Sequence, residues 1–303
     1  FNGNVINEVD GNTEITTMTV NGNLSNKSDG MKVTEKLTVS DITYINAAND
    51  IIINEINSNT LTTESKNADI TKLVATDNVS ITTTNNTTIK DGTVGGKFSN
   101  TSKNTTVTGK LDVTGATNIT AKDTIKIADG HMEQDLNVVA QNCYIGDMQL
   151  DGNINADVNT ADINTSHDIN VGLIKGNEQE FTDSLSITSA KSIINATNGK
   201  APNIYAKKIS LKAGKSIGDS NKSLNLHLPK GNSISIDAGK TANVKTTGAG
   251  PNYTKYKADE AIINADGKVK IRGLDVNKLS MKTNSSEVDI NGKVKKRGQI
   301  RTI

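Results

Sequence analysis

Two stretches of this chain, about 74 residues apart, carry nearly the same pattern of apolar residues. They read KLTVSDITYINAANDIII, residues 36–53, and KLDVTGATNITAKDTIKI, residues 110–127. The polar residues between the apolar positions differ, so the pattern that recurs is the one expected of a buried side. The matched pairs are Leu37 and Leu111, Val39 and Val113, Ile45 and Ile119, Ile51 and Ile125, and Ile53 and Ile127. Such a recurrence indicates a structural repeat.

Shorter copies divide this long interval. A third copy begins at Leu185, and the signature apolar-x-apolar recurs at Leu136, Ile209 and Ile234. Successive copies lie about 24 to 25 residues apart, which is within the range of known structural repeats. The sequence therefore predicts a unit of about 25 residues, three units per long interval and about twelve units in the chain.

Each unit consists of apolar residues spaced by two, which is the alternation of a β-strand. No helical stripe occurs, and Asn, Asp, Gly and Ser separate the strands. A unit of this length holds one full turn of a three-sided parallel β-helix. We therefore predict an all-β solenoid in which the following pairs stack in register inside the coils: Leu37 and Val39, Leu111 and Val113, Leu136 and Val138, Leu185 and Ile187, Ile209 and Leu211, Ile234 and Ile236.

The composition fits a narrow interior column. Aromatic residues make up 3% of the chain and Pro only 3 of 303 residues, while β-branched side chains pack well on a pleated surface. Asn is expected at corners, where it tolerates a left-handed backbone. The few aromatic residues are expected mainly at turns, at the ends or covering the core, among them Phe98, Phe181, Tyr205, Tyr253 and Tyr256.

Three segments break the alternation and predict excursions from the regular coil. They are Asp91–Lys103, Gly176–Asp183 and Thr246–Lys257, which combine Gly, Pro and polar residues. The chain is otherwise expected to form a single elongated domain over residues 1–303, as a fragment or subunit of a longer rod or fibre.

The charge balance excludes two classes of partner. The formal net charge is +1, so no overall field attracts nucleic acid or an anionic membrane, and no apolar run is long enough for membrane insertion. A basic tail ends the chain and is interpreted as a solvated arm or the edge of a fragment, with phosphate or partner binding as the alternative. Its residues are Lys293, Lys295, Lys296, Arg297 and Arg301. The single cysteine, Cys143, is expected to be a buried structural residue.

Two segments resemble a known family. They are SLSITSAKSIINATNG, residues 184–199, and KKISLKAGKSIGDSNKSLNL, residues 207–226. They are similar to the coils of filamentous-haemagglutinin-type and autotransporter-type bacterial adhesins, in which an apolar strand, an Ala-Gly step and an Ile-Gly corner follow one another. The matching residues are Ile209, Leu211, Ala213, Gly214, Ile217, Gly218, Leu224 and Leu226. The resemblance implies a secreted bacterial surface protein, exported through an outer-membrane pore, that folds as a right-handed parallel β-helix with about 24–25 residues per coil.

Few residues suggest chemistry. His131, Glu133 and Asp135 alternate and could place three metal ligands on one side of a strand. His167 and Asp168 could be a base and its orienting carboxylate, but no nucleophile motif accompanies them, and His227 is expected to point outward. Carboxylates are scattered rather than paired, unlike the acid pair of a glycosidase. We therefore expect no catalytic residues, no metal, no cofactor and no enzyme activity.

The functional hypothesis is a structural or adhesive protein of the bacterial cell surface, a rod or fibre shaft for adhesion or extracellular filament assembly. Its expected partners are a glycan or protein of a host surface or matrix, and further copies of itself, end to end. The alternative is a carbohydrate-active β-helix enzyme, either a polysaccharide lyase or hydrolase or a phage-type depolymerase.

Overall fold

The computed structural model describes residues 1–197 and 201–302, and in that part the chain forms strands and no helix. It divides into two compact units, Phe1–Gly152 and Asn153–Ile303. Each unit consists of coils whose strands pair in parallel with the coils before and after. The prediction of an all-β parallel solenoid is therefore confirmed. The prediction of one elongated domain over residues 1–303 stays a prediction.

The strands of the first unit are β1 (Val5–Glu8), β2 (Asn12–Val20), β3 (Leu24–Ser28), β4 (Gly30–Ala47), β5 (Asp50–Ser65), β6 (Asn67–Ala75), β7 (Val79–Thr83), β8 (Asn86–Val94), β9 (Phe98–Val113), β10 (Thr117–Met132) and β11 (Leu136–Leu150). The strands of the second unit are β12 (Asn153–Thr165), β13 (Ile169–Lys175), β14 (Thr182–Ser189), β15 (Ile193–Asn195), β16 (Ile204–Ala213), β17 (Leu224–Leu228), β18 (Ser233–Ala238), β19 (Thr241–Gly248), β20 (Asn252–Ala265), β21 (Val269–Thr283) and β22 (Val288–Thr302).

Strand β4 shows how one coil of the first unit is built. Exposed residues at 34–36 and 40–42 separate three groups of inward side chains, and the register with β5 shifts at these same two places. The shifts mark corners, so each coil has three sides. The inward groups are Met31 and Val33, then Leu37 and Val39, then Thr43, Ile45 and Ala47.

The coils of the first unit are shorter than predicted. Side-chain hydrogen bonds between neighbouring coils join residues 17 to 20 positions apart. One inward column runs through Leu37, Ile56, Leu73, Gly92 and Leu111. Leu37 and Leu111 therefore do stack in one column, but four coils apart rather than three.

The predicted stacking of Leu136 on Leu111 is wrong. Leu111 pairs with Gly130, whereas Leu136 pairs with Thr117 on another side of the coil. Both leucines are buried. The error has a physical reason, because the apolar-x-apolar signature occurs on more than one side of a coil. The number of residues between two copies of the signature therefore need not equal the length of one coil.

The 24–25-residue coil is found in the second unit. There Leu185 pairs with Ile209 and Ile209 with Ile234, while Ile187 pairs with Leu211 and Leu211 with Ile236. The predicted register is confirmed for this segment. From β18 onward the coils shorten again, since cross-coil hydrogen bonds span 18 residues. Over the described residues there are about 15 coils, rather than about twelve.

The predicted excursions have different outcomes. Asp91–Lys103 is wrong, because β8 and β9 stay in register with their neighbours and Val94, Phe98 and Asn100 are buried. Gly176–Asp183 is an excursion, since residues 176–181 lie outside the strands. Thr246–Lys257 is mostly regular, with only residues 249–251 outside β19 and β20.

Three of the five aromatic residues named above lie inside the core, contrary to prediction. Phe98, Tyr253 and Tyr256 are 0% exposed. Phe98 pairs with Val79 and Thr117 in the neighbouring coils. Tyr256 pairs with Ile236 and Leu274, and its hydroxyl donates a hydrogen bond of 3.0 Å to the carbonyl of Ala242. The column therefore accommodates aromatic rings beside Ile and Leu as well as beside Thr.

Asn serves the corners in a different way from the one predicted. Among the described residues other than Gly, only Glu178 has a positive φ, at 56°, so left-handed geometry does not explain the Asn content. Instead, Asn and Asp side-chain oxygens accept hydrogen bonds from the backbone N–H of the next coil. These acceptor and donor pairs are Asn4 and Asn23, Asn23 and Ile42, Asn67 and Asn86, Asn78 and Lys97, Asp91 and Lys110, Asn155 and Leu173, and Asn232 and Asn252.

The Ala-Gly step of the second unit also has a structural reason. A Cβ on Gly214 would overlap the carbonyl oxygen of Ala190, and a Cβ on Gly239 would overlap that of Gly214. These residues stack at one corner of consecutive coils, where Ala213 and Ala238 are buried beside them. Close approach of the coils therefore requires Gly at this corner.

A charge placed in the core column should unfold the first unit. Val113 is 2% exposed and pairs with Val94 and Met132. We expect Val113→Asp to lower the free energy of unfolding by about 3–5 kcal/mol, since it buries an unpaired carboxylate. Thr114→Asp, at the neighbouring exposed position, is the control and should melt like the parent. Equal melting of both variants in a thermal scan would contradict the register.

A buried corner amide should contribute more to stability than an exposed one. Asn232 is 2% exposed. It donates to the carbonyls of Pro229 and Gly250 and accepts from the N–H of Asn252 at 2.9 Å. Asn232→Ala leaves these groups without partners, and we expect a loss of about 2–3 kcal/mol in urea unfolding. Asn164→Ala, at an exposed position, should change stability by less than about 0.5 kcal/mol. Similar losses in both variants would show that corner bonding is not the cause.

Candidate functional site

The candidate metal ligands do not converge. The Nε2 atom of His131 lies 2.8 Å from the Oδ2 atom of Asp151, one coil further on, and Glu133 is exposed. No group of three or more potential metal ligands occurs among residues 1–197 and 201–302. The structure therefore gives no support to a metal site at His131, Glu133 and Asp135.

His167 and Asp168 hold the backbone rather than each other. The Oδ1 atom of Asp168 accepts a hydrogen bond of 2.8 Å from the N–H of Ser192. The carbonyl of His167 accepts one of 2.6 Å from the Ser189 hydroxyl. Both residues thus fasten a corner to the following coil, which is a structural role.

The remaining predicted features are a cysteine and a basic tail. Cys143 is 0% exposed, and burial raises the pKa of its thiol to about 12, so its expected burial is confirmed. The tail is exposed, as expected, but it forms a strand rather than an arm. Lys293, Lys295, Lys296, Arg297 and Arg301 all lie in β22, which pairs in parallel with β21. The arm interpretation is wrong because Val288, Ile290 and Val294 continue the strand alternation through the basic segment.

An aromatic cluster stands on the outer side of the second unit. It consists of Phe181, Tyr205 and His227, all of them partly exposed. The ring centroids of Phe181 and His227 are 5.6 Å apart and the rings are nearly parallel, at 11°. Tyr205 tilts against both, at 6.3 Å from Phe181 and 5.1 Å from His227. His227 points outward as predicted.

The coil register and one loop assemble this aromatic cluster. Tyr205 and His227 are direct partners in β16 and β17. Phe181 comes from the excursion before β14, and that loop is tied to the preceding coil because Asn159 Oδ1 accepts from the N–H of Asn177 and the amide of Gln179. Three consecutive coils therefore contribute one ring each.

Polar groups surround the aromatic cluster. The Nδ1 atom of His227 lies 3.0 Å from the Thr247 hydroxyl, and its Nε2 atom lies 3.7 Å from the carboxylate of exposed Glu180. Asp183 is paired with Lys207 at 2.6 Å. The hydrogen bond from Lys207 lowers the pKa of Asp183, so this carboxyl is held ionised.

The chemistry that this arrangement supports is binding. Partly exposed rings present apolar faces, and the neighbouring hydroxyl, imidazole and carboxylate groups offer hydrogen bonds. General acid catalysis needs a carboxyl whose pKa is raised. In the described residues, each carboxyl whose pKa is shifted has a lysine beside it that lowers the pKa. These carboxyls are Glu55, Asp183, Asp275 and Glu287.

Sequence reasoning missed the aromatic cluster. Phe181 and Tyr205 were assigned to turns or coverings of the core, and His227 was noted only as outward. The three residues lie 22 to 24 positions apart in sequence, which is close to the coil length of this segment. An outward aromatic recurring at the coil period was thus the signal that could have revealed them.

Comparison with known proteins adds no relative. No protein-family model, curated protein or solved structure matches the chain. Within the described residues, no helix has the length and apolar character that crossing a membrane requires.

Proposed function

We propose that this chain is a non-enzymatic adhesive β-solenoid of a bacterial cell surface, a rod or fibre shaft whose outer side binds a host-surface or matrix glycan or protein. The observation that carries the proposal is the aromatic cluster of Phe181, Tyr205 and His227, which is exposed in part although the core of the same unit accommodates Tyr253 and Tyr256. Rings kept at the surface beside polar groups are typical of recognition sites.

Secretion and the adhesin resemblance belong to the same proposal. The Ala-Gly corner at Gly214 and Gly239 and the coils of 24–25 residues coincide with the segment that resembles filamentous-haemagglutinin-type coils. A surface location agrees with a chain that has one cysteine, fully buried.

End-to-end self-association is also part of the proposal. The coil formed by β22 presents Val294 and Ile300, which are 38% and 50% exposed. A further coil stacked in the same register, whichever chain supplies it, would cover them and pair with the backbone of β22. A second copy of the chain is the partner we propose for this edge.

The carbohydrate-active enzyme is the weaker alternative. Its acid would have to come from a carboxyl near the aromatic cluster, and Asp183 there is held ionised by Lys207. Glu180 is exposed and lies 3.7 Å from the Nε2 atom of His227. Binding without cleavage is therefore the expected behaviour.

The test of adhesion uses purified chain on immobilised neutral glycans and matrix proteins. The variant Phe181→Ala/Tyr205→Ala removes two rings, each worth about 1 kcal/mol of contact, and should weaken binding by roughly tenfold or more. Tyr144→Ala is the control, because Tyr144 is a 40% exposed ring of the first unit. Unchanged binding by the double variant would contradict the proposed site. Shortened glycan products after incubation would favour the enzyme instead.

A further inference from the structure

A basic face lies on one side of the last four coils of the second unit. Its outward positions form two columns across β19, β20, β21 and β22. The first column is Thr241, Glu260, Lys278 and Arg297, and the second is Lys245, Asn264, Lys282 and Arg301. The face thus carries five cations and one carboxylate.

Like charges are direct neighbours on this basic face. Lys278 pairs in register with Arg297, and Lys282 with Arg301, at the strand spacing of about 4.8 Å. All four side chains are exposed, and none of the five cations forms an ion pair with a carboxylate of the described residues. Like charges placed directly opposite each other destabilise a sheet.

On another face of the molecule, stacked charged residues alternate in sign. In the first unit Lys36, Glu55 and Lys72 stack in one column, and the Glu55 carboxylate lies 2.9 Å from Lys36 and 3.5 Å from Lys72. Alternation of sign removes the repulsion there. The basic face instead keeps like charges side by side. Such a departure from alternating charge is expected where a surface binds a ligand.

Neutral polar groups lie between the cations. Ser280 and Gln299 separate the two columns, and Asn264 lies between Lys245 and Lys282 in the second column. Beside that column is a shallow groove of about 90 Å³, whose polar lining residues are Lys245, Asn264, Asp266, Lys282, Thr283 and Asn284. The exposed carboxylate of Asp266 thus lies beside Lys245 and Lys282, which remain in excess. The basic face therefore offers hydrogen-bond donors and acceptors as well as positive charge.

We propose that the basic face binds a linear anionic polysaccharide bearing sulfate or carboxylate groups. The cations would pair with the anionic groups, and Asn264, Ser280 and Gln299 would meet the sugar hydroxyls. The binding energy includes relief of the repulsion between stacked cations. This site shares no residue with the aromatic cluster and does not depend on the function proposed for that cluster.

The geometry favours a polysaccharide over nucleic acid. The outward positions of the basic face contain no aromatic ring on which bases could stack, unlike the usual single-strand binding surfaces. A flat sheet face also presents no helix or ribbon that could enter a major groove. A flexible polyanion can lie along the two columns without either feature.

The test measures binding of the full chain to heparin, hyaluronan, neutral dextran and a DNA duplex at low salt. We expect binding to heparin or hyaluronan that weakens as salt rises, because screening removes the attraction, and no binding to dextran. Lys278→Gln/Lys282→Gln should weaken it roughly tenfold or more. Lys278→Arg/Lys282→Arg should retain it.

The matched control is Lys90→Gln/Lys122→Gln, which removes two charges from exposed positions of the first unit and should change the affinity less than about twofold. Melting curves establish that the variants are folded; the exposed positions make this the expected result. Three outcomes would overturn the proposal: no binding to either anionic polysaccharide, equal losses in the control, or tighter binding to DNA. Loss of neutral-glycan binding alone would bear on the aromatic cluster and not on the basic face.

Discussion

Each coil leaves its backbone N–H and C=O groups pointing at the coils before and after it, and only those coils can satisfy them. Every other feature of the two units follows from this constraint. Neighbouring coils must keep one register round three sides, so inward side chains stack in columns. At corners the ladder is interrupted, and Asn or Asp oxygens such as Asn67 Oδ1 accept the N–H of the next coil. The high Asn content is thus a consequence of the stacking.

The sequence predicted which residues are inside better than which residues are neighbours. The paired apolar positions that were expected in the core are buried, because strand alternation depends only on local geometry. Coil length is not local. The recurrence between Leu37 and Leu111 admits three long coils or four short ones, and only the pairing of Leu37 with Ile56 and of Ile56 with Leu73 distinguishes them. Between Leu185 and Ile209 the spacing of the sequence signature equals the length of one coil, and there the predicted register is correct.

Surface sites depend on register and so escaped the sequence. Tyr205 and His227 meet because β16 and β17 pair, and Arg297 stands over Lys278 because β22 is a strand rather than an arm. Neither pair is adjacent in the chain. The buried tyrosines Tyr253 and Tyr256 show the same limit, since the residues that pack against each ring come from other coils.

Crosslinking the first unit tests the register most directly. Cysteines at Asp112 and His131, which are direct partners, would place their Cα atoms about 5 Å apart, within disulfide range. Cys143 is buried and does not compete. We predict that Asp112→Cys/His131→Cys forms an intramolecular disulfide under mild oxidation, while Asp112→Cys/Asn137→Cys, the pair of a 25-residue coil, does not. A disulfide in the second variant and not in the first, measured by intact mass, would contradict the account.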